Sequence, residues 1–267
     1  MTARAIRLSA GLIALCAVSA FAQTRGGAPP GRTGGPPTAP PAPRAAALAD
    51  FTGQWVSLVT EDWRYRMFTA PKGDTMSLPL SPAGQKTAAS WDRTRDEAAG
   101  EQCRAFGAGG IMRMPTRLRI AWTDDSTLKI ETDAGAQTRL LGFGTGSGEP
   151  GSWQGVSIAA WDYPRAAFAA RGFIPGAADG RPASGSLKVI TTQMRAGYLR
   201  RNGVPYSAKA VMTEHFERLE VPGGDTLLVI AAEINDPEYL AAPYWTSTQF
   251  KRQQDGRGWN PTPCASR

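Results

Sequence analysis

The sequence predicts an all-β domain: an antiparallel β-barrel carrying one short inserted helix, with a β-sandwich as the alternative. Three observations point there. Segments with strand-like composition are punctuated by hairpin turns, only one stretch has a helical start and stop, and strands and helices do not alternate as a parallel sheet requires. Residues 116–122 and 127–132 flank Asp124-Asp125, and residues 187–199 lead into Asn202-Gly203, a two-residue turn pair. Residues 209–219 and 226–234 flank Pro222-Gly223-Gly224. The helical stretch is 82–99, where Ser81 suits the N-cap, Pro82 the first turn, and Gly100 the stop. Trp63 and Tyr65 read as one face of a strand, with Arg64 and Arg66 on the other.

The ends of the chain set the compartment. Arg4 and Arg7 precede an apolar run from Leu12 to Val18 and a small-residue site at Ala20-Phe21-Ala22, the pattern of a cleavable signal peptide over 1–22. Residues 23–47 are almost wholly Gly, Pro, Ala, Thr and Arg, which predicts a disordered tether because such a composition cannot bury enough apolar area to order itself. The single barrel domain is expected over 48–267, and the location is expected to be periplasmic or extracellular. Once Cys16 leaves with the signal, Cys103 and Cys264 remain, and two cysteines in an exported protein predict one disulfide.

Charge excludes one class of partner. The chain carries a formal +7, but Arg4, Arg7, Arg25, Arg32 and Arg44 lie in the leader and tether, leaving 25 of the 30 Lys and Arg against 23 Asp and Glu. The folded region is therefore close to neutral. It shows no basic stripe with interleaved aromatics, so a nucleic-acid partner is not expected, nor is a membrane span.

Alternation sorts the candidate chemistry by face. In residues 209–219, Ala210, Met212, Glu214 and Phe216 share one face, and His215 points the opposite way. Glu214 is thus an interior carboxylate, either a register-fixing partner of an arginine such as Arg139 or Arg195, or a general acid or base with a raised pKa. His215, the chain's single histidine, reads as a surface residue. Without a second histidine or a Gly-x-Ser-x-Gly elbow, triad hydrolase chemistry is disfavoured, and no ligand spacing suggests a metal. No cofactor is expected. The glycine-rich run 142–148 lacks both the following helix and the Gly-Lys-Ser/Thr ending of a phosphate loop, and reads as a flexible loop at a barrel mouth.

Phe51-Thr52-Gly53-Gln54-Trp55 is similar to the Gly-x-Trp opening of lipocalin-like barrels. A wider resemblance runs through the second half of the chain. Asp133-Ala134 followed by Arg139, then Trp153-Gln154-Gly155-Val156-Ser157, Gly203-Val204-Pro205-Tyr206-Ser207, Glu214-His215-Phe216, Asp236-Pro237 and Pro243-Tyr244-Trp245 occur in order. This ladder resembles a large group of secreted β-rich bacterial proteins, abundant in soil organisms, to which no named activity is attached. That group often has His where Tyr206 stands and Arg where His215 stands. The resemblance implies secretion and a β-rich fold, and it singles out Asp133, Arg139, Tyr206 and Glu214 as one constellation.

The leading expectation is a barrel binding a small hydrophobic or aromatic molecule, with Trp63, Tyr65, Trp153 and Trp245 lining the cavity and Arg139 paired with Asp133 or Glu214. The alternative is a cofactor-independent lyase, isomerase or hydrolase, for example on aryl ethers. In it Glu214 moves a proton, Tyr206 donates to a developing oxyanion and Arg139 holds an anionic group. A structural partner of an envelope complex is the third reading, suggested by the Pro-rich tether.

Overall fold

Strands form where β-branched and aromatic residues alternate with polar ones, and a computed structural model describing residues 39–163 and 185–265 shows twelve of them. In chain order they are β1 (Gly53–Leu58), β2 (Arg117–Trp122), β3 (Thr127–Thr132), β4 (Thr138–Phe143), β5 (Ser147–Gly148), β6 (Val156–Asp162), β7 (Ser186–Thr192), β8 (Gly197–Arg200), β9 (Val204–Tyr206), β10 (Val211–Glu220), β11 (Thr226–Asn235) and β12 (Tyr244–Gln253). The signal segment and the tether as far as residue 38 lie outside the described residues. Nearer the barrel, Trp161 Nε1 donates to the Pro43 carbonyl at 2.8 Å, and the Arg44 amide donates to the Asp125 carbonyl.

The main sheet runs β4-β3-β2-β1-β12-β11-β10-β7-β6-β5, and a further pairing of β4 with β6 closes it into a nine-stranded barrel. Closure removes the unpaired edges that an open sheet would present. The three expected hairpins are present as β2–β3, β8–β9 and β10–β11. The seam corrects the antiparallel expectation, because β4 and β6 pair in parallel with Leu141 opposite Ser157. The chain reverses once from β4 into β5 and again from β5 into β6, and two reversals return it to its first direction.

Other details depart from the expectations. The stretch 187–199 is two strands, since Gln193 takes a left-handed φ of 55° and turns the chain out of the barrel into the β8–β9 pair. The glycine run 142–148 is strand end, tight turn and short strand: Gly144 and Gly146 have φ of 84° and 82°, and a methyl group on Gly142 would overlap Ser147. The single helix over 82–99 is two, α2 (Pro82–Ala89) and α3 (Arg93–Ala98). Ser81 caps the first through Gly84 N, and Asp92 starts the second by accepting from Arg95 N. Trp63 and Tyr65 lie on a helical turn, α1 (Trp63–Met67), instead of a strand, and a 3-10 turn (Gln102–Phe106) and α4 (Ala108–Ile111) complete the helical elements described.

Inward side chains fill the barrel. Trp55, Leu118, Leu128, Ile130, Leu141, Leu187, Phe216 and Phe250 are buried together, each contributing roughly 1.5–3 kcal/mol of burial. A second cluster, including Leu199, Val204, Tyr206, Met212 and Tyr244, lies where β9 packs against α2. Cys103 and Cys264 are joined by a disulfide, as expected, with Cα atoms 5.1 Å apart across 161 residues of sequence.

Candidate functional site

Two-residue periodicity turns Glu214 of β10 inward, where it meets Arg139 of β4 from across the seam. Arg139 Nη2 donates to Glu214 Oε2 at 2.6 Å and Nη1 to Oε1 at 3.1 Å, and both side chains are 1% exposed. Nη2 also reaches Thr191 Oγ1 on β7, which shares a 2.8 Å hydrogen bond with Ser157 Oγ on β6. The four residues form a polar band across β4, β6, β7 and β10. A two-pronged guanidinium–carboxylate pair offsets desolvation only when geometry and extra hydrogen bonds are good; here both terminal nitrogens of Arg139 are engaged, while its Nε is buried without a hydrogen-bond partner. One residue along, His215 faces outward to Ser186 Oγ at 3.1 Å.

Tyr206 enters the same end from β9 and is almost wholly buried. Its hydroxyl has no hydrogen-bond partner, and methyl groups on Gly107 or Gly197 would collide with it. Burial pushes the phenol pKa up, against the opposing pull of the Arg139 charge. Asp133 is elsewhere. Its Oδ1 accepts from Arg117 N at 2.7 Å and Thr116 Oγ1 at 2.9 Å, and its carbonyl accepts from Thr262 N, which fastens the C-terminal tail. The structure thus brings Arg139 and Glu214 together and leaves Asp133 in its own cluster.

The four aromatics do not converge. Trp63 is 62% exposed and touches Phe68 edge-on, while Trp245 is 64% exposed. Trp153 lies under Arg195 and borders a groove with Gln137, Leu140 and Gln154. Tyr65 donates to Asp74 Oδ1 and carries the Arg200 guanidinium 3.9 Å from its ring centroid.

Open space lies at the barrel rim. A cleft of about 470 Å³ is lined by Met67, Phe106, Met114, Pro115, Ala134 and Pro263, with Arg201 also in its wall. Met67 and Pro115 also line a neighbouring cleft of about 500 Å³ that extends to Val56, Val59 and Asp133. Met114 and Arg201 further border a niche of about 20 Å³, roughly room for one water-sized group, whose walls include Arg66, Arg113, Arg200 and Tyr65.

Four arginines line that niche, and Glu61 and Asp62 are the carboxylate partners of two of them, Arg66 and Arg113. Arg66 donates to Glu61 at 2.8 Å, and Arg113 donates to Glu61 at 3.0 Å and Asp62 at 2.5 Å. Arg200 donates to the Met76 carbonyl and Arg201 to the Arg66 carbonyl, and neither has a carboxylate partner among the described residues. Asp74 is taken by Arg64 and Tyr65. Arg66 is 3% exposed, yet its Nη2 has no hydrogen bond. Burial, reinforced by the Arg113 charge, holds the Arg66 pKa below its usual value, and burial does the same for Arg201.

No protein-family profile, curated protein or solved structure matches this chain. Among the described residues no three His, Cys, Asp or Glu gather as metal ligands, and no helix is long and apolar enough to cross a membrane. Apart from Tyr65, which lines the niche, the cleft and niche residues escape the sequence reading because they are scattered over 66–67, 106–115, 134, 199–201, 244 and 262–265. The local signals are the Arg200-Arg201 pair before a tight turn and Met112-Arg113-Met114-Pro115, which place a cation beside thioethers.

Proposed function

We propose that this protein is a secreted β-barrel that binds a small hydrophobic or aromatic molecule at its rim. The observation that carries the proposal is the cleft of about 470 Å³ walled by Met67, Phe106, Met114, Pro115 and Pro263. Its size and apolar lining suit a small-molecule site, and two of its walls are adaptable thioethers. The Cys103–Cys264 disulfide supports an oxidising compartment and, with the leader-like residues 1–22, a periplasmic or extracellular location. In this reading Glu214 and Arg139 hold the barrel seam, and Asp133 holds the tail beside the cleft.

The unpartnered Tyr206 hydroxyl favours a second reading, a cofactor-independent enzyme with Glu214 as acid or base. Substrate would then have to separate Glu214 from Arg139. Incubating the mature protein with a panel of aromatic and lipidic compounds, followed by mass spectrometry, decides between the two. Compounds retained unchanged by the wild type and lost by Met67→Asp support rim binding. Conversion that a folded Glu214→Gln variant lacks would replace binding with catalysis, and no retention would sink both and leave the envelope-partner role.

A further inference from the structure

Resting on the rim-cleft reading, we infer that the ligand is an amphipathic anion, its acidic head held by Arg66 and Arg201 in the niche and its apolar body lying along Met114, Phe106 and Met67. The niche and the cleft share Arg201 and Met114, which makes them adjacent along the proposed path of the ligand.

Each half of the site lacks what such a molecule would supply. On the polar side, the Arg66 side chain is buried and fixed by bonds from Nε to the Arg113 carbonyl and from Nη1 to Glu61, which leaves Nη2 unpartnered. A buried donor without a partner is destabilising, so its persistence points to an acceptor that arrives from outside. The Arg201 guanidinium makes one hydrogen bond, to the Arg66 carbonyl, and has no carboxylate beside it among the described residues. An acid would complete the donor set of both groups. On the apolar side, the cleft offers Met67, which is half exposed, and the buried Met114 and Phe106.

The geometry holding these groups is rigid. Asn202, next to Arg201 in the β8–β9 turn, donates to the carbonyls of Pro71 and Asp74 and ties the turn to the segment that follows α1. Gly203, at φ of 81°, packs so closely on Trp91 that a methyl group would overlap the indole. The cations are thus placed before any ligand binds, which lowers the ordering penalty of binding.

The test uses a matched pair of probes, 2-naphthylacetate and its neutral isostere 2-naphthylacetamide, titrated calorimetrically into the full mature protein at pH 7. The acid is expected to bind roughly tenfold or more tighter than the amide, the range of a charge-assisted hydrogen bond. Arg201→Gln should abolish that preference by weakening the acid roughly tenfold more than the amide, and Met67→Ser should weaken both probes alike. Arg66→Met provides a second removal of the cation, with the amide affinity of each variant reporting an intact cleft. Equal binding of acid and amide to the wild type overturns the anionic head group and leaves the rim cleft standing. Binding of neither probe overturns the cleft and this inference together. A preference that survives in both arginine variants, or inorganic sulfate displacing the acid at comparable concentration, also overturns it.

Discussion

Two arginine sites in this molecule treat charge in opposite ways. Inside the barrel, one guanidinium faces one carboxylate, and their hydrogen bonds extend to Thr191 and onward to Ser157. At the rim, four arginines line one niche, only Arg66 and Arg113 pair with the carboxylates Glu61 and Asp62, and Arg66 keeps a donor without an acceptor. Burial of Arg139 and of Arg66 is nearly equal, so burial does not distinguish the sites. The ratio of cations to carboxylates does. Glu214 neutralises Arg139 and leaves only its Nε without an acceptor, and the pair serves closure, whereas Arg200 and Arg201 at the niche have no carboxylate partner among the described residues to offset their charge.

The comparison can be broken most sharply inside the barrel. Glu214→Ala leaves Arg139 buried without its partner and should lower unfolding free energy by about 3–5 kcal/mol, measured by urea denaturation. A loss under about 1 kcal/mol would mean that the pair does not hold the seam. Removing the disulfide with Cys103→Ser and Cys264→Ser should cost about 2–5 kcal/mol by releasing a long loop. Because Pro263 then keeps only the neighbouring Thr262–Asp133 hydrogen bond as an anchor, affinity for apolar probes should fall as well; unchanged probe affinity would dissociate the tail from the cleft.

Smaller effects sharpen the contrast. Glu61→Gln removes the carboxylate shared by Arg66 and Arg113, but Glu61 is partly exposed, so thermal denaturation should show a loss of only about 1 kcal/mol. A loss as large as that of Glu214→Ala would erase the distinction between the two sites. Tyr198 on β8 donates to Asp96 and accepts from Arg104, and burial together with the Asp96 carboxylate pushes its hydroxyl up to about 12. The neutral phenol is the form the fold prefers, so its contribution is fully present below the ordinary value of 10.0 and is lost as pH rises toward 12. Tyr198→Phe should flatten the stability profile in that window, and an unchanged profile would contradict the assignment. The smallest change expected is His215→Ala, within about 0.5 kcal/mol in the same denaturation assay, because this side chain lies on the outer face beside Glu214.

The parts of this structure that were legible in the sequence are those fixed by neighbours along the chain. Turn chemistry at Asp124-Asp125, Asn202-Gly203 and Pro222-Gly223-Gly224 marks three hairpins, and alternation alone turns Glu214 inward and His215 outward. Trp63 and Tyr65 misled because the pattern of aromatic and basic residues at 63–66 mimics a strand, while the chain there makes a helical turn after Asp62 adopts φ of 51°.

Local order in the chain therefore determined the hairpins and the facing of the interior carboxylate, because turns and two-residue periodicity act over a few residues, and the count of cysteines left after the leader predicted their pairing. Only the tertiary structure decided that the seam is parallel, that Arg139 meets Glu214 instead of Asp133, and that the open space is at the rim. Those outcomes depend on which strand neighbours which after closure, and on residues as distant as Arg66 and Arg201 sharing one niche. No spacing along the chain encodes such meetings; they follow from packing, where excess charge and apolar walls first become neighbours.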